Sequence, residues 1–286
     1  MKFQYIRARD FDHAIETLAE DHERLKILAG GTDLLVMVRQ NKEAPRSVLD
    51  ITPLNELKAI EIKGEEVEMG ALVTHTQVCE FPLLTEQTVA LVQACREVGS
   101  PQIQNRGTLG GNLANASPAA DTIPPLYVFQ AVLTLGSRQG ERKIKVEDFC
   151  TEVKRSVLRP DEMILRISFP LPSKGSFSFF KKLGQRKAMN ISKVSIAACL
   201  EFDGDTIGSI RVALGAVGPT VIRAVETESY LQGKTLSEDA IEAVAGIIRR
   251  ESRAISDIRS TADYRNAMTG VLLAAGLREA MTSRQN

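Results

Sequence analysis

The sequence predicts an α+β fold in two domains. Three observations carry that expectation. Strands and helices alternate over residues 2–50, prolines and glycines mark a break at residues 170–175, and beyond it a strand meander is followed by helices. In the first stretch, Phe11, Ala14, Ile15, Leu18 and Ala19 recur at helical spacing behind Asp10, a side chain suited to cap a helix. Residues 25–29 form a short apolar strand running into Gly30 and Gly31. Thr32 then opens a helix through Leu34, Leu35 and Val38, and residues 48–51 are the next strand.

A second segment begins near Pro53. Residues 59–62 and 67–69 flank a Lys63-Gly64-Glu65-Glu66 turn and read as a hairpin. One helix is predicted over residues 84–97. Residues 106–122 read as a long loop, with Pro118, Pro124 and Pro125 holding it out of regular structure. Strands follow at 132–135, 143–146 and 164–169. After Pro170, Pro172 and Gly175, residues 177–183, 194–202 and 207–217 read as a three-stranded antiparallel meander turned by Asp203-Gly204-Asp205. Three helices close the chain. In the last, Tyr264, Ala267, Met268, Val271, Leu272 and Ala275 form an apolar stripe expected to face the core.

The chain's 36 basic and 36 acidic residues balance, which gives no footprint for nucleic acid. No apolar run reaches the ~18 residues of a membrane span, and the first residues lack a signal-peptide core, so the cytoplasm is the expected compartment. Cys79, Cys95, Cys150 and Cys199 form no C-x-x-C pair and read as reduced apolar side chains rather than metal or cluster ligands. His75 and Cys79 share a helix face, but two ligands do not make a site. His13 and His22 read as surface residues. Gly233-Lys234-Thr235 resembles the end of a phosphate-binding P-loop, yet Glu228 stands where that motif needs glycine. No Rossmann fingerprint, nucleophile elbow or zinc-protease motif occurs.

What remains is two glycine-bearing segments, Leu28-Ala29-Gly30-Gly31-Thr32-Asp33-Leu34 and Thr108-Leu109-Gly110-Gly111-Asn112. Paired glycines let a backbone approach a ligand, and successive amides can hold an anion without a charged side chain. Two such segments suggest a dinucleotide clasped from both sides.

With these segments in place, the chain resembles the FAD-binding medium subunit of the molybdenum hydroxylases, the group of bacterial xanthine dehydrogenase and aerobic carbon monoxide dehydrogenase. The likeness runs through Phe3-Gln4-Tyr5, Leu49-Asp50-Ile51, Gly70-Ala71-Leu72-Val73-Thr74 and Gln104-Asn105-Arg106-Gly107-Thr108. It continues through Asp161-Glu162-Met163-Ile164-Leu165, Phe180-Lys181, Ile191-Ser192-Lys193-Val194, Asp257-Ile258-Arg259 and Tyr264-Arg265. It implies a bipartite FAD-binding domain of the vanillyl-alcohol-oxidase (PCMH) type over residues 1–172, with subdomains of about 1–52 and 53–172. A small α+β domain over residues 173–286, a three-stranded sheet with a helical bundle, would close on it.

The resemblance implies noncovalent FAD, with Leu28, Ala29, Gly30, Gly31, Thr32, Asp33, Leu34, Thr108, Gly110, Gly111 and Asn112 at the diphosphate and its surroundings. Asn115 and Asp121 would hold polar parts of the cofactor, Met163 and Ile164 a strand edge beside the ring system, and Lys181 a lysine near the flavin. Asp33 and Asp121 would repel phosphate, so they are expected to accept from sugar or adenine donors, or to orient loop amides. Blander roles stand beside these: Asp33 in its helix dipole, Asn112 bonding its own loop, Lys181 solvated.

The implied complex places iron–sulfur clusters on a small subunit and the molybdenum cofactor on a large one, in a dimer of heterotrimers. Electrons would pass through FAD to NAD or a quinone. A stand-alone flavin oxidoreductase of the same fold is the alternative, though no paired carboxylate or histidine marks a substrate site in the C-terminal segment.

Overall fold

The structure, a computed structural model, describes residues 3–20, 24–186 and 189–284; His22 lies outside these. The chain begins with β1 (Gln4–Arg7), α1 (Phe11–Glu20), β2 (Leu25–Leu28), α2 (Leu34–Arg39) and β3 (Ser47–Asp50). The strands form a parallel sheet in the order β1-β3-β2. Helix α1 buries Ala14, Ile15 and Leu18 in a core that includes Leu49 and Ile51, as its apolar spacing predicts.

Next come β4 (Ile60–Lys63), β5 (Glu66–Gly70), α3 (His75–Glu80), α4 (Pro82–Gln87), α5 (Val89–Glu97) and α6 (Pro101–Gln104). These lead to α7 (Leu109–Ala114), α8 (Ile123–Val128), β6 (Val132–Ser137), β7 (Gly140–Lys145), β8 (Cys150–Glu152), β9 (Arg155–Ser156) and β10 (Met163–Pro170). The antiparallel sheet β4-β5-β10-β6-β7 is the centrepiece.

Two expectations change here. The single helix over 84–97 is two, because Thr88 leaves helical geometry (φ −121°, ψ 45°) with its hydroxyl donated to the Leu84 carbonyl. The long loop over 106–122 contains α7 and leads into α8. Pro124 and Pro125 sit in the first turn of α8, where a missing N–H costs nothing.

The last part holds β11 (Phe177–Leu183), β12 (Val194–Asp203), β13 (Thr206–Gly215), β14 (Ile222–Arg223), α9 (Val225–Leu231), α10 (Glu238–Glu251) and α11 (Ala262–Ser283). Its sheet has four strands, not the three expected. Strand β14 is two residues long and shows no periodicity in sequence. The sheet is covered on both faces. Phe179, Ile196 and Ala198 pack under the three helices, whereas Phe180, Ala197 and Ala213 join the core of the central sheet. Double burial explains why β12 reads as a nearly unbroken apolar run.

The stripe expected on α11 is its buried face only in part: Met268 and Leu272 pack against the core from its margin. Tyr264 and Val271 are exposed, and the seam runs through Thr269, Gly270, Leu273, Gly276 and Leu277. A Cβ on Gly276 would lie 2.1 Å from the Phe179 ring, and one on Gly270 2.6 Å from the Ala245 carbonyl oxygen. Close approach selected small residues there, which hydrophobic periodicity does not register. Among the described residues no helix is long and apolar enough to cross a membrane, and no cluster of His, Cys, Asp or Glu could hold a metal ion.

Candidate functional site

The first glycine segment leaves the C-terminal end of β2, where parallel strands open a crevice. Gly31 takes φ +74°, a conformation that glycine adopts without strain. Among the described residues, none of the main-chain amides of residues 29–34 donates to a protein acceptor. Residues 29–32 and 34 are half-buried and Asp33 is exposed, and the run of six free amides ending at the first residue of α2 is a ready anion cradle. The Thr32 hydroxyl adds a donor.

The second segment lies directly against the first. A Cβ on Gly30 would stand 2.0 Å from the Arg106 carbonyl oxygen and 3.1 Å from the Gly107 Cα. Asn115 Nδ2 donates to Asp33 Oδ2 at 2.8 Å, and Lys154 Nζ donates to Asn115 Oδ1 at 2.6 Å. Asp33 and Asn115 therefore tie the segments together. Asp33 makes no capping bond to α2.

The second segment is not a second strip of free amides, which corrects the expectation for Gly110 and Gly111. The Gly110 amide donates to the Ala71 carbonyl at 3.0 Å, and a Cβ there would lie 2.6 Å from that same oxygen. The Gly111 amide donates to Thr108 Oγ1 at 3.0 Å, so Thr108 caps α7. Glycine at 110 serves backbone packing. A Cβ on Gly111 would meet only Thr108 Oγ1, at 2.9 Å, and otherwise open space. Asn112 Oδ1 accepts from Thr122 Oγ1 at 2.7 Å, which leaves its amide nitrogen available.

Met163 and Ile164 are buried and belong to the central strand of the five-stranded sheet rather than an edge. Pairing of β10 with β5 begins at Arg166, so the two residues run past the end of β5. There the Leu165 carbonyl accepts from Ala71, whose own carbonyl accepts from Gly110.

Lys181 is not brought to the loops. It shares a strand face with Phe179, under α11, and its Nζ pairs with Glu279 Oε1 at 2.6 Å. Lys182, one residue on, faces the central sheet with Phe180. Its Nζ donates to Asp121 Oδ2 at 2.7 Å and to the carbonyls of Glu97 (3.0 Å) and Asn190 (3.4 Å). Ser192 Oγ donates to Asp121 Oδ1 at 2.5 Å. Both Asp121 oxygens are thus engaged by protein. Burial raises the Asp121 carboxyl above its ordinary value, against the pull of Lys182 and Ser192. The signal for Lys182 was available in sequence: it stands two residues from Phe180, on the same face of a strand.

His75 is a further residue that sequence reading left aside. It opens α3 behind a capping box of Thr74 and Gln77, and its amide donates to the Gly107 carbonyl at 3.1 Å. Its ring is 2% exposed, Nδ1 has no partner among the described residues, and a Cβ on Gly107 would lie 3.1 Å from Cδ2. Gly107 is therefore held between Gly30 and His75. Burial lowers the imidazole to about 4, so the neutral form supports the fold. The unfolded chain takes its proton near pH 6.5, so this stabilisation is complete above that pH and is lost progressively as pH falls toward 4. The full loss is about 3 kcal/mol, of which about 2 kcal/mol has gone by pH 5. His75→Gln should remove that part of the acid sensitivity in urea unfolding at pH 7 and 5. An unchanged pH dependence would refute the assignment.

Comparisons with known proteins give the family and the fold. The family model described as "FAD binding domain in molybdopterin dehydrogenase" matches residues 1–172. That of the "CO dehydrogenase flavoprotein C-terminal domain" matches residues 178–280. The xanthine dehydrogenase FAD-binding subunit of Escherichia coli O157:H7 is 31% identical, over 91% of this chain and 90% of its own length. The carbon monoxide dehydrogenase medium chain of Hydrogenophaga pseudoflava is 28% identical over 98% and 97%. A solved carbon monoxide dehydrogenase from that organism, lacking the Mo-pyranopterin moiety of the molybdenum cofactor, superposes with TM-score 0.94 at 28% identity, covering 99% of this chain and 98% of the other. Quinoline 2-oxidoreductase from Pseudomonas putida 86 gives 0.93 at 26%, over 99% and 98%. A free-amide cradle locked to a second glycine segment, in a chain matched end to end, identifies this protein as a member of the family of FAD-binding subunits of molybdopterin dehydrogenases.

Proposed function

We propose that this chain binds FAD noncovalently and serves as the electron-transfer subunit of a molybdenum hydroxylase. It receives electrons from iron–sulfur clusters on a small subunit that works beside a large molybdenum-cofactor subunit, and delivers them to NAD. The observation that carries the reading is the run of acceptor-free amides over residues 29–34, closed by residues 106–112. Residues 1–172 form the flavin-binding part, with subdomains of about 1–52 and 53–172, and residues 173–286 the domain that closes on it.

The chain's own groups have distinct parts. The amides of Ala29, Gly30, Gly31, Thr32, Asp33 and Leu34 bind the diphosphate, helped by the Thr32 hydroxyl and the Asn112 amide. The bare face of Gly111 makes room for it. Asp33 and Asn115 keep the two segments at their separation. Lys182 and Ser192 hold the C-terminal sheet onto Asp121 and so shield the cleft from water. Bound FAD would supply the exchange between single electrons and an electron pair.

The test is the purified assembly. Heat or acid should release one FAD per chain, as expected for noncovalent binding, and NAD should reoxidise the reduced complex faster than a quinone. An assembly with no flavin, unable to take up added FAD, overturns the reading. Preferential reoxidation by a quinone overturns only the choice of acceptor.

A further inference from the structure

Lysine is an odd occupant of the turn between β8 and β9. Val153 and Lys154 make that turn, and Lys154 takes φ +61°, a conformation that glycine or asparagine adopts with less strain. The base of the hairpin is firm. Phe149 is fully buried, its carbonyl accepts from the Val157 amide at 3.0 Å, and Cys150 and Val157 pack against the central core. The tip is fastened just past α7. The Lys154 amide donates to the Ala116 carbonyl at 3.0 Å, and Ala116 is itself left-handed, with φ +45°. Two such residues meeting in one hydrogen bond mark a geometry that the surroundings impose, and strain of this kind gathers at functional sites.

The lysine side chain runs toward the cradle. Nζ donates to Asn115 Oδ1 at 2.6 Å, and Asn115 Nδ2 donates to Asp33 Oδ2 at 2.8 Å. Glu152, the carboxylate of the same hairpin, pairs with Arg155 at 3.2 Å. The two charged ends fix the amide between them. Turned over, Asn115 would set its oxygen against the Asp33 carboxylate and its NH2 against the ammonium, and both contacts repel. Asp33 is exposed and supplies one of the free amides of residues 29–34. Without Asn115 its carboxylate would be free to swing over those amides and repel an anion held there.

We propose that Lys154 is a positioning residue for the cofactor: through Asn115 it fastens the Asp33 carboxylate and so keeps the amides of residues 29–34 open to a diphosphate. The inference rests on the FAD reading above. Glycine at the turn would relieve the backbone but supply no ammonium, and asparagine would be too short to reach Asn115. Lys154 acts through two intervening side chains rather than by touching the diphosphate.

The experiment strips the purified assembly of flavin and titrates it with FAD. This chain is wild type, Lys154→Met, Lys154→Arg, Asn115→Ala, the double variant Lys154→Met with Asn115→Ala, or Arg155→Met. The last removes a neighbouring exposed charge from the same hairpin. The melting temperature of the flavin-free samples is measured alongside. Lys154→Met should weaken FAD binding about tenfold with the melting temperature unchanged, Lys154→Arg less than about threefold and Arg155→Met less than about twofold. The double variant should bind no more weakly than Asn115→Ala alone. Wild-type affinity in Lys154→Met overturns the proposal, and so does Lys154→Arg as weak as Lys154→Met. A double variant whose loss is the product of the two single losses overturns it too, because the ammonium would then attract the diphosphate directly. An equal loss in Arg155→Met overturns it by reducing the effect to the charge of the hairpin, and a lowered melting temperature in Lys154→Met by reducing it to stability. A wild-type assembly that takes up no FAD overturns the cofactor reading itself, and the role of Lys154 with it.

Discussion

Gly30→Val should abolish FAD binding and loosen the fold, whereas Gly111→Val should abolish FAD binding and leave the fold intact. The difference lies in what each new side chain meets. At Gly30 the first added carbon would stand 2.0 Å from the Arg106 carbonyl oxygen. That oxygen belongs to backbone held by the ladder from His75 to Gly107 and from Leu109 to Val73. It cannot swing aside, so the two segments separate. Overpacking against fixed backbone costs about 3 kcal/mol or more. At Gly111 the new carbon touches only Thr108 Oγ1, and a valine within α7 costs no more helix propensity than glycine does. The valine instead fills the concavity proposed for the diphosphate. Flavin released on denaturation and the melting temperature of the same samples separate the two. Equal melting temperatures for both variants would sink the packing argument, and retained flavin in Gly111→Val would sink the placement of the diphosphate.

Lys182→Met should destabilise the protein by about 3–5 kcal/mol, and Lys181→Met by less than about 1 kcal/mol. The two lysines are neighbours with opposite surroundings. The Lys182 side chain is 4% exposed and that of Asp121 is 8%, so removing the ammonium strands a buried carboxylate that Ser192 alone cannot compensate. Lys181 and Glu279 stand 25% and 52% exposed, where water screens the pair. Urea unfolding gives both values. The double variant Lys182→Met with Asp121→Asn should recover part of the loss, because it removes the stranded charge. Equal effects would refute the buried pair, and a larger loss for Lys181→Met would show that the strand faces the other way. Lys182→Met should also weaken FAD binding, through loosened closure of the C-terminal sheet.

The same one-residue parity shows where sequence reading failed. The resemblance runs through Phe180-Lys181 and implies Lys181, whereas the structure buries Lys182. Which of two adjacent lysines faces the central sheet depends on strand register, and that is set by Phe179 under α11 and by Gln93, whose Oε1 accepts the Phe180 amide at 2.7 Å. Helix α11 departs for a related reason: the centre of its buried face is set by the closeness of Phe179 and Ala245, which admits glycine and leaves Met268 and Leu272 of the apolar stripe at the margin. A loop is expected over residues 106–122 because of Pro118, Pro124 and Pro125, but all three lie beyond Leu109–Ala114, where only the two glycines oppose a helix. Packing of Gly110 on Ala71 and the Thr108 cap outweigh that preference.

From sequence alone, the strand–turn–helix at Gly30 and Gly31, the sheet-then-helices order of the last third of the chain and the flavin family were all legible. These rest on local chemistry: turn residues, short-range periodicity and motif order along the chain. Only the tertiary structure decided that, among the described residues, the unbroken run of free amides lies on the first segment while those of Leu109, Gly110, Gly111 and Asn112 are bonded, that Gly30 and Gly110 serve packing while Gly111 faces open space, and that Asp121 pairs with Lys182. Each of these depends on which distant backbone comes within 3 Å of a given atom, and no local pattern encodes that distance.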